Sequence, residues 1–280
     1  MDNFYGAAEG VERNVTSAQS KAALSLKRMA LLGVLAGAFI ALGGAASSTA
    51  AHNIENVGLA RLVTAVVFPV GLMMTIFSGG ELFTGNCLIA IGVLEERINV
   101  KRLIRNLVVV YFCNLIGALL IDVLVCFSGN LDLSGGLVGA YTIKTAVAKV
   151  SISPGKALIS GILCNILVCV AILMATSAAD AIGKIWASFF PIFAFVICGF
   201  EHCVANMFYI PAGMMAAANA DYVALAQETY GLTAEQIGSL TLSGFLQNLI
   251  PVTIGNLIGG ILLVSLPCYL VQKKWKDEQK

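Results

Sequence analysis

The sequence predicts an all-α integral membrane protein, and three observations lead to this fold class. Hydrophobic residues make up 58% of the 280 residues, whereas charged residues make up only 12%. The mean hydropathy is +0.87, far above that of a soluble globular protein. Apolar runs long enough for helices of about 20 residues recur along the chain, whereas the strands of a membrane β-barrel are short and alternate in polarity.

The chain divides into three segments. Residues 1–28 are predicted to form a cytoplasmic N-terminal segment whose apolar residues have the spacing of an amphipathic helix, with a frayed terminus as the alternative. Residues 29–272 are predicted to form a domain of six transmembrane helices, and residues 273–280 a cytoplasmic tail. The spans are expected at about 29–51, 62–94, 106–127, 154–179, 185–220 and 242–271.

Two further segments adjoin the spans. An outer loop is predicted at about 128–153, and a polar stretch, which overlaps the end of the fifth run, at about 211–241. Within the polar stretch, Thr233 and Gln236 have the spacing of a helix capping box.

Basic residues set the predicted orientation. Of the 17 lysines and arginines, thirteen fall on the side of the two termini and four on the other side: Arg61, Lys144, Lys149 and Lys156. Basic residues that flank membrane spans concentrate in the cytoplasm. We therefore expect a multi-pass protein of the cell (plasma) membrane with both termini in the cytoplasm.

Two of the apolar runs are interrupted by a glutamate beside glycine. Glu81 lies between Gly79 and Gly85 in the second span, and Glu201 follows Gly199 in the fifth. Both runs are too long for one straight crossing of a hydrocarbon core about 30 Å thick, and glycine allows a helix to unwind. We expect broken second and fifth helices, because irregular backbone is tolerated in a membrane where it lines a cavity.

The third and sixth spans share an internal sequence pattern. Four residues of the third span recur in the sixth at the same spacing, namely Asn106, Leu107, Asn114 and Gly117 as Asn248, Leu249, Asn256 and Gly259. Each half then has three spans, so the halves are inverted repeats. Interrupted helices at matching positions of two such halves point to a central permeation or binding site.

His202 places an imidazole directly after Glu201 in the fifth run. Ionisable groups at that depth are costly in lipid and mark functional sites that face a cavity. The alternative is that His202 serves only as a hydrogen-bond partner between helices.

The remaining chemistry-bearing residues indicate neither a metal nor a cofactor. The eight cysteines lie almost wholly in apolar runs without a CxxC pair, and the chain has two histidines. We interpret the cysteines as buried small hydrophobic residues and expect no metal site. The net charge of +1 gives no indication of a nucleic-acid partner.

Three stretches resemble the formate/nitrite transporter family, and the resemblance covers nearly the whole chain. The stretches are Glu81-Leu82-Phe83-Thr84-Gly85-Asn86, Gly199-Phe200-Glu201-His202 followed by Val204-Ala205-Asn206-Met207, and Asn248-Leu249-Ile250-Pro251-Val252-Thr253 with Gly255-Asn256. The resemblance implies an aquaporin-like protomer and a homopentamer with one pore in each subunit. It implies passage of a small monovalent anion, with formate first and hydrosulfide and nitrite as alternatives.

The same resemblance implies roles for individual residues. His202 is similar to the family's central pore histidine and Thr84 to the threonine that faces it, and Lys149 and Asn165 resemble the family's vestibule lysine and fourth-helix asparagine. The implied inner constriction comprises Leu72, Leu82 and Phe195, and the outer one Phe68, Phe83 and Val168, with ordinary core packing as the alternative. The expected supports of the broken helices are Glu81, Glu201, Gly79, Gly85 and Asn206. Cys203 stands where serine is common in relatives.

These residues suggest a hypothesis for passage of a weak acid. An anion loses hydration between two apolar rings at high cost, whereas its neutral conjugate acid crosses more cheaply. We expect Lys149 to attract the anion, His202 to exchange a proton with it, and Glu201 to anchor the broken helix. Two other classes are a passive scaffold and an intramembrane enzyme that uses His202 with Cys203 or Thr84, although adjacent helical residues point about 100° apart.

Overall fold

The computed structural model describes residues 4–274, which form helices joined by short connections. In chain order the helices are α1 (Ala7–Ala22), α2 (Leu26–Ala51), α3 (Val57–Val67), α4 (Val70–Ser78), α5 (Phe83–Asn86), α6 (Ile89–Leu94), α7 (Val100–Phe127), α8 (Leu137–Val150), α9 (Pro154–Ser177), α10 (Ala181–Cys198), α11 (Cys203–Ala216), α12 (Ala220–Tyr230), α13 (Ala234–Gly238), α14 (Leu242–Leu257) and α15 (Leu266–Tyr269). Turns of π-helix join α14 to α15 over Ile258–Ser265 and follow α15 over Leu270–Lys274.

Six helices within residues 4–274 are long and apolar enough to cross a membrane, which confirms the predicted number of spans. They cover Leu26–Ala51, Val57–Ser78, Val100–Phe127, Pro154–Ser177, Ala181–Cys198 and Leu242–Lys274. The third begins before its predicted start at residue 106, because Asn99 caps α7 and the helix already includes Lys101, Arg102 and Arg105.

Two helices end at exposed residues, and each is followed by a short helix whose first residues are buried. The helix α4 ends at Ser78, Gly79 adopts a φ of 72°, and α5 begins at Phe83. In the same way α10 ends at Cys198, Gly199 adopts a φ of 73°, and α11 begins at Cys203. Left-handed glycine is a common helix terminator because it carries no Cβ.

The segment predicted as an outer loop at 128–153 is largely helical. This segment contains α8, whose Val138, Ile143 and Val147 are buried. The polar stretch at 211–241 is also largely helical, since α11 continues to Ala216 and is followed by α12 and α13. Such short helices are stabilised by packing against their neighbours, which hydropathy over a span-length window does not register. The predicted capping box of Thr233 and Gln236 is confirmed at the start of α13.

The N-terminal helix α1 packs its apolar side on the bundle and is held by charged groups. Val15 is fully buried, as the amphipathic spacing predicts. Glu12 accepts a hydrogen bond of 2.6 Å from Arg97 and a second one from Lys273, and Lys273 also lies 3.0 Å from Glu95. Hydrogen bonds from Lys273 and then Arg97 lower the pKa of Glu12 below its ordinary value.

We predict that Glu12→Gln loosens α1 without unfolding the bundle. Because the pKa of Glu12 is lowered in the folded protein, its contacts stabilise α1 above the ordinary carboxyl pKa, and that stabilisation is lost as pH falls through the lowered value. Amide hydrogen exchange in α1 at neutral pH should therefore be faster in Glu12→Gln. Glu9→Gln, an exposed change on the same helix, is the control. Equal exchange in both variants would contradict the prediction.

Candidate functional site

The two short helices α5 and α11 bring Thr84 and His202 together in the centre of the bundle. The Thr84 Oγ1 and His202 Nε2 atoms are 2.9 Å apart. Both residues are buried, with 0% and 3% of their surfaces exposed. Each lies at the beginning of its helix, Thr84 in the first turn of α5 and His202 as the N-cap of α11.

The hydrogen bonds of His202 define its neutral tautomer. Its Nδ1 atom accepts a hydrogen bond of 3.0 Å from the backbone N–H of Ala205. A backbone N–H can only donate, so the proton of the neutral ring is on Nε2 and is donated to Thr84 Oγ1. The Thr84 hydroxyl proton remains available to donate to another group.

Glu81 connects the first break to neighbouring helices. Its Oε2 atom accepts hydrogen bonds from Asn86 Nδ2 at 2.7 Å and Asn106 Nδ2 at 3.1 Å. Its Oε1 atom lies 3.1 Å from Lys21 Nζ, which also donates to Asn86 Oδ1 at 2.8 Å. The carboxylate is buried and is therefore paired and hydrogen-bonded, as burial of a charge requires.

Glu201 makes the corresponding contacts at the second break. Its Oε1 atom accepts a hydrogen bond of 2.5 Å from Lys149 Nζ. Its Oε2 atom accepts from Asn206 Nδ2 at 2.7 Å and Asn248 Nδ2 at 3.4 Å. The two halves of the chain thus repeat a lysine, a glutamate and two asparagines around each break.

Two cavities lie on either side of the central residues. One has a volume of about 140 Å³, and His202, Lys149, Phe68 and Phe195 are among its lining residues. The other has a volume of about 590 Å³, and its lining combines basic and hydroxyl side chains with apolar ones such as Leu82 and Ile172. Its basic residues are Arg13, Lys21 and Lys184. We refer to them as the Lys149 cavity and the Lys21 cavity.

The six residues expected at the constrictions share one buried apolar cluster: Phe68, Leu72, Leu82, Phe83, Val168 and Phe195. The ring of Phe195 lies 5.8 Å from that of Phe68 and 6.0 Å from that of His202. Phe195 thus contacts Phe68, a member of the other expected constriction, and lines the Lys149 cavity, whereas Leu82 lines the Lys21 cavity. Phe83 packs edge-to-face on Tyr111 at 4.9 Å.

Asn165 is engaged in contacts between helices. Its Nδ2 atom donates to the backbone oxygen of Asn256 at 2.6 Å and lies 3.4 Å from Cys87 Sγ. Cys169 links this group to the centre, because its Sγ donates to the backbone oxygen of Thr84 at 3.6 Å. The structure therefore places Asn165 between Cys87, which directly follows α5, and the backbone of α14.

A family model described as Formate/nitrite transporter matches residues 8–270. The chain belongs to the formate/nitrite transporter family. It is therefore a multi-pass membrane transport protein, and the enzyme alternative is set aside.

Named relatives and a solved structure support the family assignment. A probable formate transporter of Methanothermobacter thermautotrophicus is 37% identical over 282 residues, covering 94% of this chain and 95% of the relative. The formate channel FocA of Escherichia coli K12 is 36% identical over 250 residues, covering 88% and 87%. The structure of a pentameric formate channel with formate bound matches with a TM-score of 0.78 at 30% identity, covering 88% of this chain and 97% of that one.

Sequence reasoning assigned no role at the breaks to six residues that hold them in place: Lys21, Asn86, Asn106, Asn114, Asn248 and Asn256. One sequence signal pointed to Lys21. Lys21 precedes Gly33 by as many residues as Lys149 precedes Gly161, so the two lysines occupy matching positions in the two halves. Asn106, Asn114, Asn248 and Asn256 belong to the internal repeat, but a repeat does not indicate which groups their side chains contact.

We predict that Lys149 and Glu201 are energetically coupled. Glu201→Gln leaves an ammonium group largely buried without its counter-charge, and removing one partner of such a pair costs about 3 kcal/mol. Lys149→Gln should likewise destabilise, and the double variant should lose less than the sum of the two. Thermal unfolding of the purified protein in detergent measures this coupling. The control is the more exposed Lys21–Glu81 pair, which should show weaker coupling; purely additive losses at Lys149 and Glu201 would contradict the prediction.

Proposed function

We propose that the protein is a formate channel of the plasma membrane, that it assembles as a homopentamer, and that each protomer contains a pore. The observation that carries the proposal is the Thr84–His202 contact between two cavities in a chain of this family. Formate and the pentamer are taken from the related solved structure. The excess of basic residues on the side of the termini supports a cytoplasmic location for residues 1–28 and 273–280 and a channel domain at 29–272.

Lysines near both cavities support the attraction of an anion from either side. Lys149 lines one cavity and Lys21 the other. Each lysine is paired with a glutamate, so the local charge is partly balanced and an anion is attracted without being held tightly. Conduction needs such weak binding, because the ion must leave as readily as it enters.

The apolar cluster between the cavities favours the neutral acid. Transfer of an ion into apolar surroundings is costly unless hydrogen bonds replace its hydration shell. The available Thr84 hydroxyl proton and the N-terminal end of α11 supply partial compensation at the centre. Glu201 anchors the second break in this proposal, since its oxygens accept hydrogen bonds from Lys149 and two asparagines.

Proton exchange at His202 requires a change in its hydrogen bonds. A further proton must be accepted by Nδ1, whose lone pair receives the Ala205 N–H. Protonation of the ring therefore costs the side-chain cap of α11, and the imidazolium can transfer a proton to a bound anion as it returns to the neutral tautomer. Protonation of the bound anion therefore depends on the His202 ring, which both orients Thr84 and takes up a proton.

We predict that His202→Asn separates the capping of α11 from proton uptake. The asparagine amide can accept the Ala205 N–H as His202 Nδ1 does, but its side chain ends before the position of Nε2, and it does not take up a proton in this pH range. It should retain formate flux at neutral pH and lose the acid-stimulated part, whereas His202→Phe should lose both. Formate uptake into proteoliposomes at neutral and acidic pH measures this, with protein-free vesicles correcting for formic acid leakage. Acid stimulation equal to wild type in His202→Asn would contradict proton exchange at this ring.

The same assay decides among the anions of the family. Formate, hydrosulfide, nitrite and chloride are compared under identical conditions. Faster hydrosulfide or nitrite than formate would change the proposed substrate but not the pore. Vesicles that stay impermeable to every anion would support the passive-scaffold alternative.

We also predict that the Thr84 hydroxyl, rather than the size of its side chain, supports flux. Thr84→Ser keeps the group that contacts His202, whereas Thr84→Val keeps the volume and removes the hydroxyl. A hydrogen bond to a charged group contributes about 1.5–3 kcal/mol, so Thr84→Val should lower formate flux by about tenfold or more. Thr84→Ser should stay within a few-fold of wild type. Equal flux in the two variants would contradict a role for the hydroxyl.

A further inference from the structure

Each helix break leaves backbone groups that need partners inside the bundle. In an apolar environment every unpaired N–H or C=O group costs free energy, because water is not available to satisfy it. The partners at both breaks include one asparagine side chain from the next long helix, Asn114 from α7 and Asn256 from α14. Both side chains are fully buried, with 0% of their surfaces exposed.

Asn114 makes contacts on both sides of the first break. Its Oδ1 atom accepts a hydrogen bond of 2.9 Å from the N–H of Phe83, the first residue of α5. Its Nδ2 atom donates to the backbone oxygens of Gly33 at 2.7 Å and Glu81 at 2.9 Å. One side chain therefore joins α2, the break and the start of α5.

Asn256 repeats these contacts at the second break. Its Oδ1 atom accepts a hydrogen bond of 2.9 Å from the N–H of Cys203, the first residue of α11. Its Nδ2 atom donates to the backbone oxygens of Gly161 at 2.7 Å and Glu201 at 3.1 Å. The two asparagines bond next to different functional residues. Thr84 directly follows Phe83, whose N–H bonds Asn114, and His202 directly precedes Cys203, whose N–H bonds Asn256.

We propose that Asn114 and Asn256 are positioning residues that set the Thr84–His202 contact from opposite sides. Each donates a hydrogen bond to a carbonyl of its break and accepts one from the first N–H of the following short helix. Each also donates to the first long helix of its half of the chain, α2 for Asn114 and α9 for Asn256. The alternative is that the asparagines only join neighbouring helices, which would require no hydrogen bond to the break. However, two of the three hydrogen bonds of each asparagine are made to the break or to the first residue after it. The effect on transport rests on the proposed function, but the effect on His202 does not.

The matched controls lie one helical turn earlier on the same helices. Val110 and Val252 are fully buried at 0% exposure, four residues before Asn114 and Asn256. Val110→Ala and Val252→Ala remove buried methyl groups and lower stability without removing a hydrogen bond at either break. These variants therefore distinguish a general loss of protein stability from a displacement of Thr84 and His202.

The transport test compares Asn114→Leu and Asn256→Leu with these valine variants in proteoliposomes. We expect the leucine variants to reduce formate flux by about tenfold and to change the formate-to-chloride flux ratio, while the valine variants keep the ratio of wild type. Asn114→Asp keeps an oxygen that can accept the Phe83 N–H, but its second oxygen faces the carbonyls of Gly33 and Glu81. Protonation of the carboxylate at acidic pH supplies an O–H donor, so the flux of this variant relative to wild type should increase as pH falls. Asparagine variants that follow the valine controls in flux, flux ratio and pH profile would overturn the proposal.

A second readout is independent of transport. The chain has two histidines, so ¹⁵N-histidine NMR spectra in detergent contain few signals, and a His52 variant assigns them. Asn256→Leu and Asn256→Asp should shift the ring nitrogens of His202, because His202 directly precedes the bonded Cys203 N–H, whereas Val252→Ala should leave them in place. Unshifted signals in both folded Asn256 variants would overturn the proposal. Absence of formate flux in wild type, with the expected NMR shifts, would instead refute the proposed function alone.

Discussion

A helix that stops inside an apolar bundle must have its freed peptide groups satisfied by other protein atoms, and the rest of this structure depends on that constraint. Both breaks meet it with side chains from distant parts of the sequence. A buried glutamate binds amide groups and a lysine, and a buried asparagine on the following long helix bonds the break and the start of the next short helix. Because these partners are themselves buried, removing one leaves several others unsatisfied.

The same constraint creates the polar centre of the molecule. Two short helices begin near the middle of the bundle, so their first residues lie beside each other instead of at a membrane surface. Thr84 and His202 meet there within an otherwise apolar cluster. The two cavities near this contact differ in size, since the Lys21 cavity has a volume of about 590 Å³ and the Lys149 cavity one of about 140 Å³. The two related halves of the chain therefore carry cavities of different size.

Local sequence signals identified the features that depend on composition and on single residue types. Span-length hydropathy located the long helices, and Gly79 and Gly199 marked the ends of α4 and α10, where both adopt positive φ values. The same signals failed for α8, because a short helix packed on its neighbours has no span-length apolar run. They also left Lys21 unassigned, since its partner Glu81 lies 60 residues away.

Sequence reasoning alone predicted the membrane class, the number of spans, the positions of the breaks and, through the motifs, the family. These follow from hydropathy, glycine and charge, which act over a few residues or over one helix length. The packing of the helices was needed to show that Asn114 and Asn256 bond the breaks, that Asn165 contacts Cys87 and the backbone of α14, and that both ring nitrogens of His202 are occupied. The physical reason is that a buried polar group takes whichever partner the packing of distant helices brings within hydrogen-bond reach, and residue spacing along the chain does not encode that distance.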